Sequence, residues 1–426
     1  MSSHEHIPSH WDVFPLREAV QNHNSGVYKK SSLYGHGQNI VGVSNLYDID
    51  CIDGQLFALV PLSKEERLKH TLNEGDLLYG ESSLVREGIA RTVYVSSKGA
   101  GTAFAWHTRR YSVDHNRILP SFLYYYLQCR RARKHMMDQC IQTAITGINT
   151  VSYFECPVLA PHVSEQTEIA TTLKDVDALL DGLDHLIAKK RAIKQAAMQQ
   201  LLTGKTRLPG FSGEWEVIQL GRCGSTYGGI TGKEKADFGH GAARYVTFLN
   251  VLENPIIQPS MFEAVDIGPA ETQNRVRRGD LLFNGTSETP EDVALGACVL
   301  DDWDDLYLNS FCFGFRFHAR TDHDPLFFAY FFRGPMGRQL MSALAQGATR
   351  YNMSKRQFLR LECPLPDGDE QREIAHVLAD MDREIAVVQQ RRDKTRAIKQ
   401  GMMQQLLTGR VRLVKPEVAA AGEAAS

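Results

Sequence analysis

The sequence predicts an α+β protein written twice: two mixed α/β domains, each followed by a long helical arm, with the two arms packed as a coiled coil. Three observations carry this. A 44-residue segment recurs without a gap. An apolar stripe in steps of three and four runs along both copies. The stretches between alternate short β-rich runs with one apolar helix.

The repeat is found by laying residues 165–208 over 370–413, a shift of 205. "EQTEIATTLKDVDALLDGLDHLIAKKRAIKQAAMQQLLTGKTRL" then faces "EQREIAHVLADMDREIAVVQQRRDKTRAIKQGMMQQLLTGRVRL", and 23 of the 44 positions are identical. Fainter echoes extend it to the whole chain. "GHG" occurs at 35–37 and 239–241, "EGDLLYGESS" at 74–83 returns as "RGDLLFNGTS" at 278–287, and Trp11 returns as Trp215. The organisation read from this is a first globular part at 1–160, an arm at 161–208, a second globular part at 209–366, an arm at 367–414, and a disordered tail at 415–426.

In the first arm Ile169, Leu173, Val176, Leu180, Leu183 and Ile187 form the stripe, with Ile193, Ala197 and Leu201 beyond. In the second, Ile374, Leu378, Met381, Ile385 and Val388 take the same steps. This is the seam of a coiled coil. Some 35 residues without proline make a helix of roughly 50 Å, too long to lie on one small domain. Ser164 is placed to cap the first arm, and Gly204 and Gly409 to end the two arms.

Each globular part begins with β-rich runs such as "NIVGVSNLYDI" and "ARYVTFLNV". A proline then opens an apolar helix, "PSFLYYYLQCRRARKHMM" (120–137) and "PLFFAYFFRGPMGRQLMSAL" (325–344), whose aromatics at helical spacing read as core. A polar loop follows each, at 143–154 and 345–358. The two globular parts share only framework residues. One scaffold with two surfaces is what two different ligands require.

Composition excludes several classes. At 43% apolar and 23% charged the chain is globular, and its net charge of −2 gives no global basic field. No apolar run reaches the ~18–20 residues of a membrane span, and the N-terminus lacks a signal-peptide core, so a cytoplasmic location is expected. Eight cysteines without a CxxC pair point to reduced thiols rather than zinc or disulfides. No phosphate-binding loop, nucleophile elbow or HExxH occurs, and "GGITGKE" (228–234) lacks the upstream glycine spacing. A non-catalytic chain that binds no metal is expected.

The near-identical arms, opened by "EQ.EIA..L..D" and closed by "QQLLTGK/R", with "GDLL" and "ECP.LP" in the domains, resemble the specificity subunit of type I restriction–modification systems. The resemblance spans the whole chain. It implies two target-recognition domains, each reading one half of a bipartite, asymmetric double-stranded DNA site. It implies antiparallel arms that set the spacing and dock two methyltransferase subunits. Restriction/translocase subunits complete the implied assembly. S-adenosylmethionine, ATP and Mg2+ belong to those other subunits, and this chain binds none of them. Related methylation-based defence systems, and a non-DNA interaction scaffold, remain as alternatives.

Base edges are read in grooves by Arg, Asn and hydroxyl side chains on loops and helices. In the first domain the candidates are Arg109 and Arg110 in "WHTRRYS", with Thr146, Asn149, Thr150 and Ser152 in the loop after the apolar helix. In the second they are Arg275, Arg277 and Arg278 before "GDLL", with Arg350, Asn352, Lys355 and Arg356 in the equivalent loop. "CRRARK" (129–134) is a further candidate for phosphate.

Overall fold

The computed structural model describes residue 8, residues 10–142 and residues 145–413; the tail expected at 415–426 lies outside them. The chain forms two compact units. The first joins residues 1–183 to 391–426, and the second is residues 184–390. Each unit thus takes the start of one arm and the end of the other.

In the first unit a five-stranded sheet has the order Val20–Ser25, Thr108–Val113, Leu77–Gly80, Thr92–Val95, Cys51–Ile52. A two-stranded ribbon, Asp12–Pro15 against Pro157–Ala160, closes the domain where the arm begins. The second unit repeats the plan around a four-stranded sheet: Gly224–Gly228, Cys312–Phe317, Leu281–Asn284, Gly296–Cys298. Its closing ribbon pairs Glu216–Gln219 with Glu362–Leu365. Asp12 faces Ala160 as Glu216 faces Leu365, so the internal repeat holds at the level of register.

The apolar segments are core, as their spacing indicates. Phe122, Tyr126, Phe327 and Phe331 are all at most 2% exposed. Each segment is, however, two helices rather than one: Pro120–Gln128 then Arg130–Gln139, and Pro325–Arg333 then Pro335–Ala343. Cys129 and Gly334 are extended at the break (ψ 156° and 169°). Pro335 forces that conformation on Gly334, because a residue before proline is driven out of the helical region. Cys129 adopts it without a proline.

The arms are single helices, Val163–Leu201 and Gly368–Leu406, of 39 residues each. The first starts one residue before Ser164, whose hydroxyl pairs with His162 Nδ1 instead of capping. The two pack antiparallel, and the reasons can be read within each unit. In the first, Leu406 and Leu407 enter the core containing Ile169 and Leu173. In the second, Leu201 and Leu202 enter the core containing Ile374 and Leu378. Burial of such leucines contributes about 1.5–3 kcal/mol each.

Of the seam, Ile169, Leu173, Leu180, Leu183, Ile187, Ile374, Leu378 and Ile385 are buried, while Val176, Met381 and Val388 are half-buried. Ile193 departs from the expectation, with 51% exposure. Past Ile187 the steps of three and four land on Lys190, Lys194, Ala197 and Leu201, which puts Ile193 one position off the seam. The lysine ammoniums close it by pairing with Glu384 (2.7 Å) and Asp382 (2.5 Å).

Polar residues of the repeat explain themselves in pairs. Lys194 pairs with Asp382, which accepts from Tyr330 Oη at 2.8 Å; Lys399 pairs with Asp177, which accepts from Tyr125 Oη at 2.8 Å. Burial and the neighbouring carboxylates hold both tyrosine pKa values far above normal, so both hydroxyls remain donors. Arg207 holds the buried Glu370, and Arg412 holds the buried Glu165. Gln166 and Gln371, also buried, accept from the backbone N–H of Leu119 and Asp324 and fix the loop before each apolar helix. The "EQ" opening each arm is thus one clasp to the opposite arm's end and one staple to its own domain.

Among the described residues no helix is long and apolar enough to cross a membrane, and no group of three or more His, Cys, Asp or Glu could hold a metal ion.

Candidate nucleic-acid interface

In each unit the run after "GDLL" leaves its sheet and forms a short ribbon with the loop that follows the apolar helices. Ser82 and Ser83 face Gly147 and Thr146 in the first unit; Thr286 and Ser287 face Asn352 and Tyr351 in the second. The loop returns through a short helix. In the first unit this is Thr150–Phe154, capped by Asn149; in the second it is Lys355–Phe358, capped by Ser354.

The candidate residues divide in two around this ribbon. In the second unit Arg350, Asn352, Lys355 and Arg356 are exposed and lie together on the loop and its helix. Gln346 and Asn352 exchange two backbone hydrogen bonds, 3.1 and 2.8 Å, closing the loop into a hairpin. Gly347 adopts φ +140°, and a Cβ there would meet the Arg350 carbonyl oxygen at 2.0 Å, so only glycine fits. Arg275, Arg277 and Arg278 are not part of this group. They precede strand Leu281–Asn284, at the end away from Thr286, and Arg275 pairs with Asp305 at 2.8 Å.

In the first unit Thr146 is buried in the ribbon, Asn149 is exposed, and Thr150 and Ser152 are half-buried. The Asn149 side chain accepts from the Ser152 N–H at 2.8 Å. Arg109 and Arg110 are adjacent on one strand and therefore face opposite sides of the sheet. Arg109 Nε donates to Glu81 at 2.7 Å, next to the ribbon, and its Nη1 lies 3.3 Å from His23 Nδ1. Burial first, then Arg109, lower the His23 pKa, which favours the neutral imidazole. Arg110 turns to the buried Asp76 at 3.5 Å; burial raises that carboxyl's pKa against the opposing effects of the Asn73 N–H and Arg110. Arg133 of "CRRARK" also points inward and donates to the Glu87 carbonyl at 2.8 Å. Its counterpart Arg338 donates to the carbonyls of Glu291, Val293 and Ala294, and burial pushes its pKa down to about 10. These two arginines pin the turn after each ribbon rather than presenting charge.

Exposed side chains around the ribbon form a pattern that a search for polar readers passes over. In the first unit they are Leu84, Val85, Ile141, Ile145 and Val151, each more than half exposed. The corresponding residues of the second unit are Glu288, Thr289, Gln346, Arg350 and Arg356. Five aliphatic side chains on one copy stand where five polar or charged ones stand on the other. The signal was available in the internal alignment, once the ribbon had marked which positions to compare.

Two like scaffolds carrying unlike exposed ends, tied to paired antiparallel arms, define an internally duplicated protein that presents two different surfaces. The type I restriction modification DNA specificity domain profile matches residues 8–193 and 295–395. The chain belongs to that family: it is a non-catalytic DNA-recognition subunit of a type I restriction–modification system. It is 21% identical over 430 residues to the MjaX specificity subunit of Methanocaldococcus jannaschii, across 96% of this chain and 95% of that one. The type I restriction enzyme MjaVIII specificity subunit of the same organism is 23% identical over 205 residues, 47% of this chain and 48% of the other. The fold is similar to that of the type I restriction–modification S subunit from M. genitalium, with a TM-score of 0.56 at 12% identity over 95% and 98% of the two chains.

Proposed function

We propose that each unit reads one half of a bipartite, asymmetric DNA site through the exposed end of its ribbon and loop, while the arms fix the distance between the halves. The observation that carries this is the five-for-five exchange of aliphatic for polar side chains at matching positions. Two such ends contact different base sequences: aliphatic groups suit thymine methyls, whereas arginine suits guanine.

We further infer that two methyltransferase subunits dock on the arms. In 191–204 and 396–409, twelve of fourteen positions are identical, although Ile193 and Ile398 are 51% and 50% exposed. Core packing does not account for identity at exposed positions. Two equal surfaces fit two copies of one partner, and a twofold arrangement matches the symmetry of the duplex. Restriction/translocase subunits join through that assembly in the cytoplasm, with S-adenosylmethionine, ATP and Mg2+ held by the partners.

Sequencing modified bases in host DNA with and without this gene tests the reading. The expected result is one bipartite methylated-adenine motif with unlike halves that disappears with the gene. An unchanged methylation pattern contradicts it.

A further inference from the structure

We propose that Arg350 reads a guanine in the half-site bound by the second unit, as a guanidinium fork held in place by Thr286 and Phe311. This rests on the reading of that unit as a DNA-recognition unit, and goes beyond it by naming a residue and a base.

Arg350 sits on the closed hairpin Gln346–Asn352, whose backbone is fixed by two hydrogen bonds and by Gly347. Its Nε donates to Thr286 Oγ1 at 3.1 Å. Thr286 is 5% exposed and is locked in the ribbon opposite Asn352. The guanidinium carbon lies 5.5 Å from the centroid of the Phe311 ring, a cation–π distance that holds the plane from a second side. With Nε occupied, the two Nη groups remain, and they have no hydrogen-bond partner among the described residues. A planar pair of donors with a fixed direction matches the O6 and N7 acceptors of guanine in the major groove.

A phosphate is the other ligand such a fork takes, and the surroundings disfavour it. Arg350 borders an open cleft of about 500 Å³ whose walls include Glu288 and Asp292. Two carboxylates repel a phosphate but tolerate the uncharged edge of a base. The first unit has no equivalent reader, because Ile145 occupies the matching position and is 54% exposed. The proposed guanine therefore belongs to one half only.

The test uses the full chain with its methyltransferase partner and a pool of randomised duplexes, comparing the parent with Arg350→Ala and Thr286→Val. Arg350→Ala is expected to lose roughly ten- to a hundredfold of guanine preference at one position of one half. The other half and the gap should stay unchanged, and that retained half shows that the variant is folded. Thr286→Val should weaken the same position by a smaller factor. If the Arg350→Ala preferences are all unchanged, or if binding falls uniformly and its salt dependence drops by about one phosphate contact, the assignment is overturned while the DNA-recognition reading survives. A parent chain that selects no sequence overturns both.

Discussion

Leu378→Ala is expected to destabilise the second unit by about 2–5 kcal/mol, whereas Ile193→Ala in the same unit should change its stability by less than about 0.5 kcal/mol. Leu378 is fully buried where the second arm meets the leucines ending the first, so truncation leaves a cavity in a shared core. Ile193 is half exposed beside a seam closed by lysine–carboxylate pairs. The effect of Ile193→Ala should appear instead as weaker methyltransferase binding. Urea unfolding of both variants, with partner affinity measured alongside, checks the pair. A large loss of stability for Ile193→Ala, or none for Leu378→Ala, contradicts the placement of the seam.

A half-chain of residues 1–208 is expected to form a homodimer that selects a palindromic site. The first unit is incomplete without the end of the second arm: Lys399 pairs with Asp177, Arg412 with the buried Glu165, and Leu406 and Leu407 fill the core. In the half-chain these positions are open, and a buried Glu165 without its arginine is strongly destabilising. The first arm carries the same residues 205 positions earlier, as Lys194, Arg207, Leu201 and Leu202. A second copy supplies every one of these contacts, though not that of Met402, where the repeat has Ala197. Analytical ultracentrifugation should give a dimer, and selection from random duplexes should return two inverted copies of the first half-site. A folded monomer, or a dimer with an asymmetric site, contradicts the equivalence of the arms.

The arms were legible in the sequence because their burial pattern is periodic and is written twice. Leu173 and Leu378 announce themselves by spacing. Ile193 does not, because the steps that reach Ile187 continue onto lysines, whose apolar stems cover the seam while their ammoniums pair with Glu384 and Asp382. The candidate site was legible only in part. The loop after the apolar helices was found as a place, and Arg350, Asn352, Lys355 and Arg356 do share it. Arg109, Arg110 and Arg133 looked equivalent as charges, but their partners, Glu81, Asp76 and the Glu87 carbonyl, lie elsewhere in the chain and are set by sheet and helix packing. No local pattern distinguishes an arginine that holds a turn from one that is free to meet a base. The exposed aliphatic end of the first unit carries no polar or charged signature in the sequence, so only its exposure in the fold marks it; thymine methyls and unstacked steps are the features of DNA that suit such side chains.

The most direct measurement is the sequence selected from random duplex DNA by the purified complex of this chain with its methyltransferase. Two short unlike blocks, separated by a gap of constant length and indifferent composition, are the predicted result. One continuous block, two identical blocks, or a gap of variable length would contradict two unlike readers fixed to paired arms.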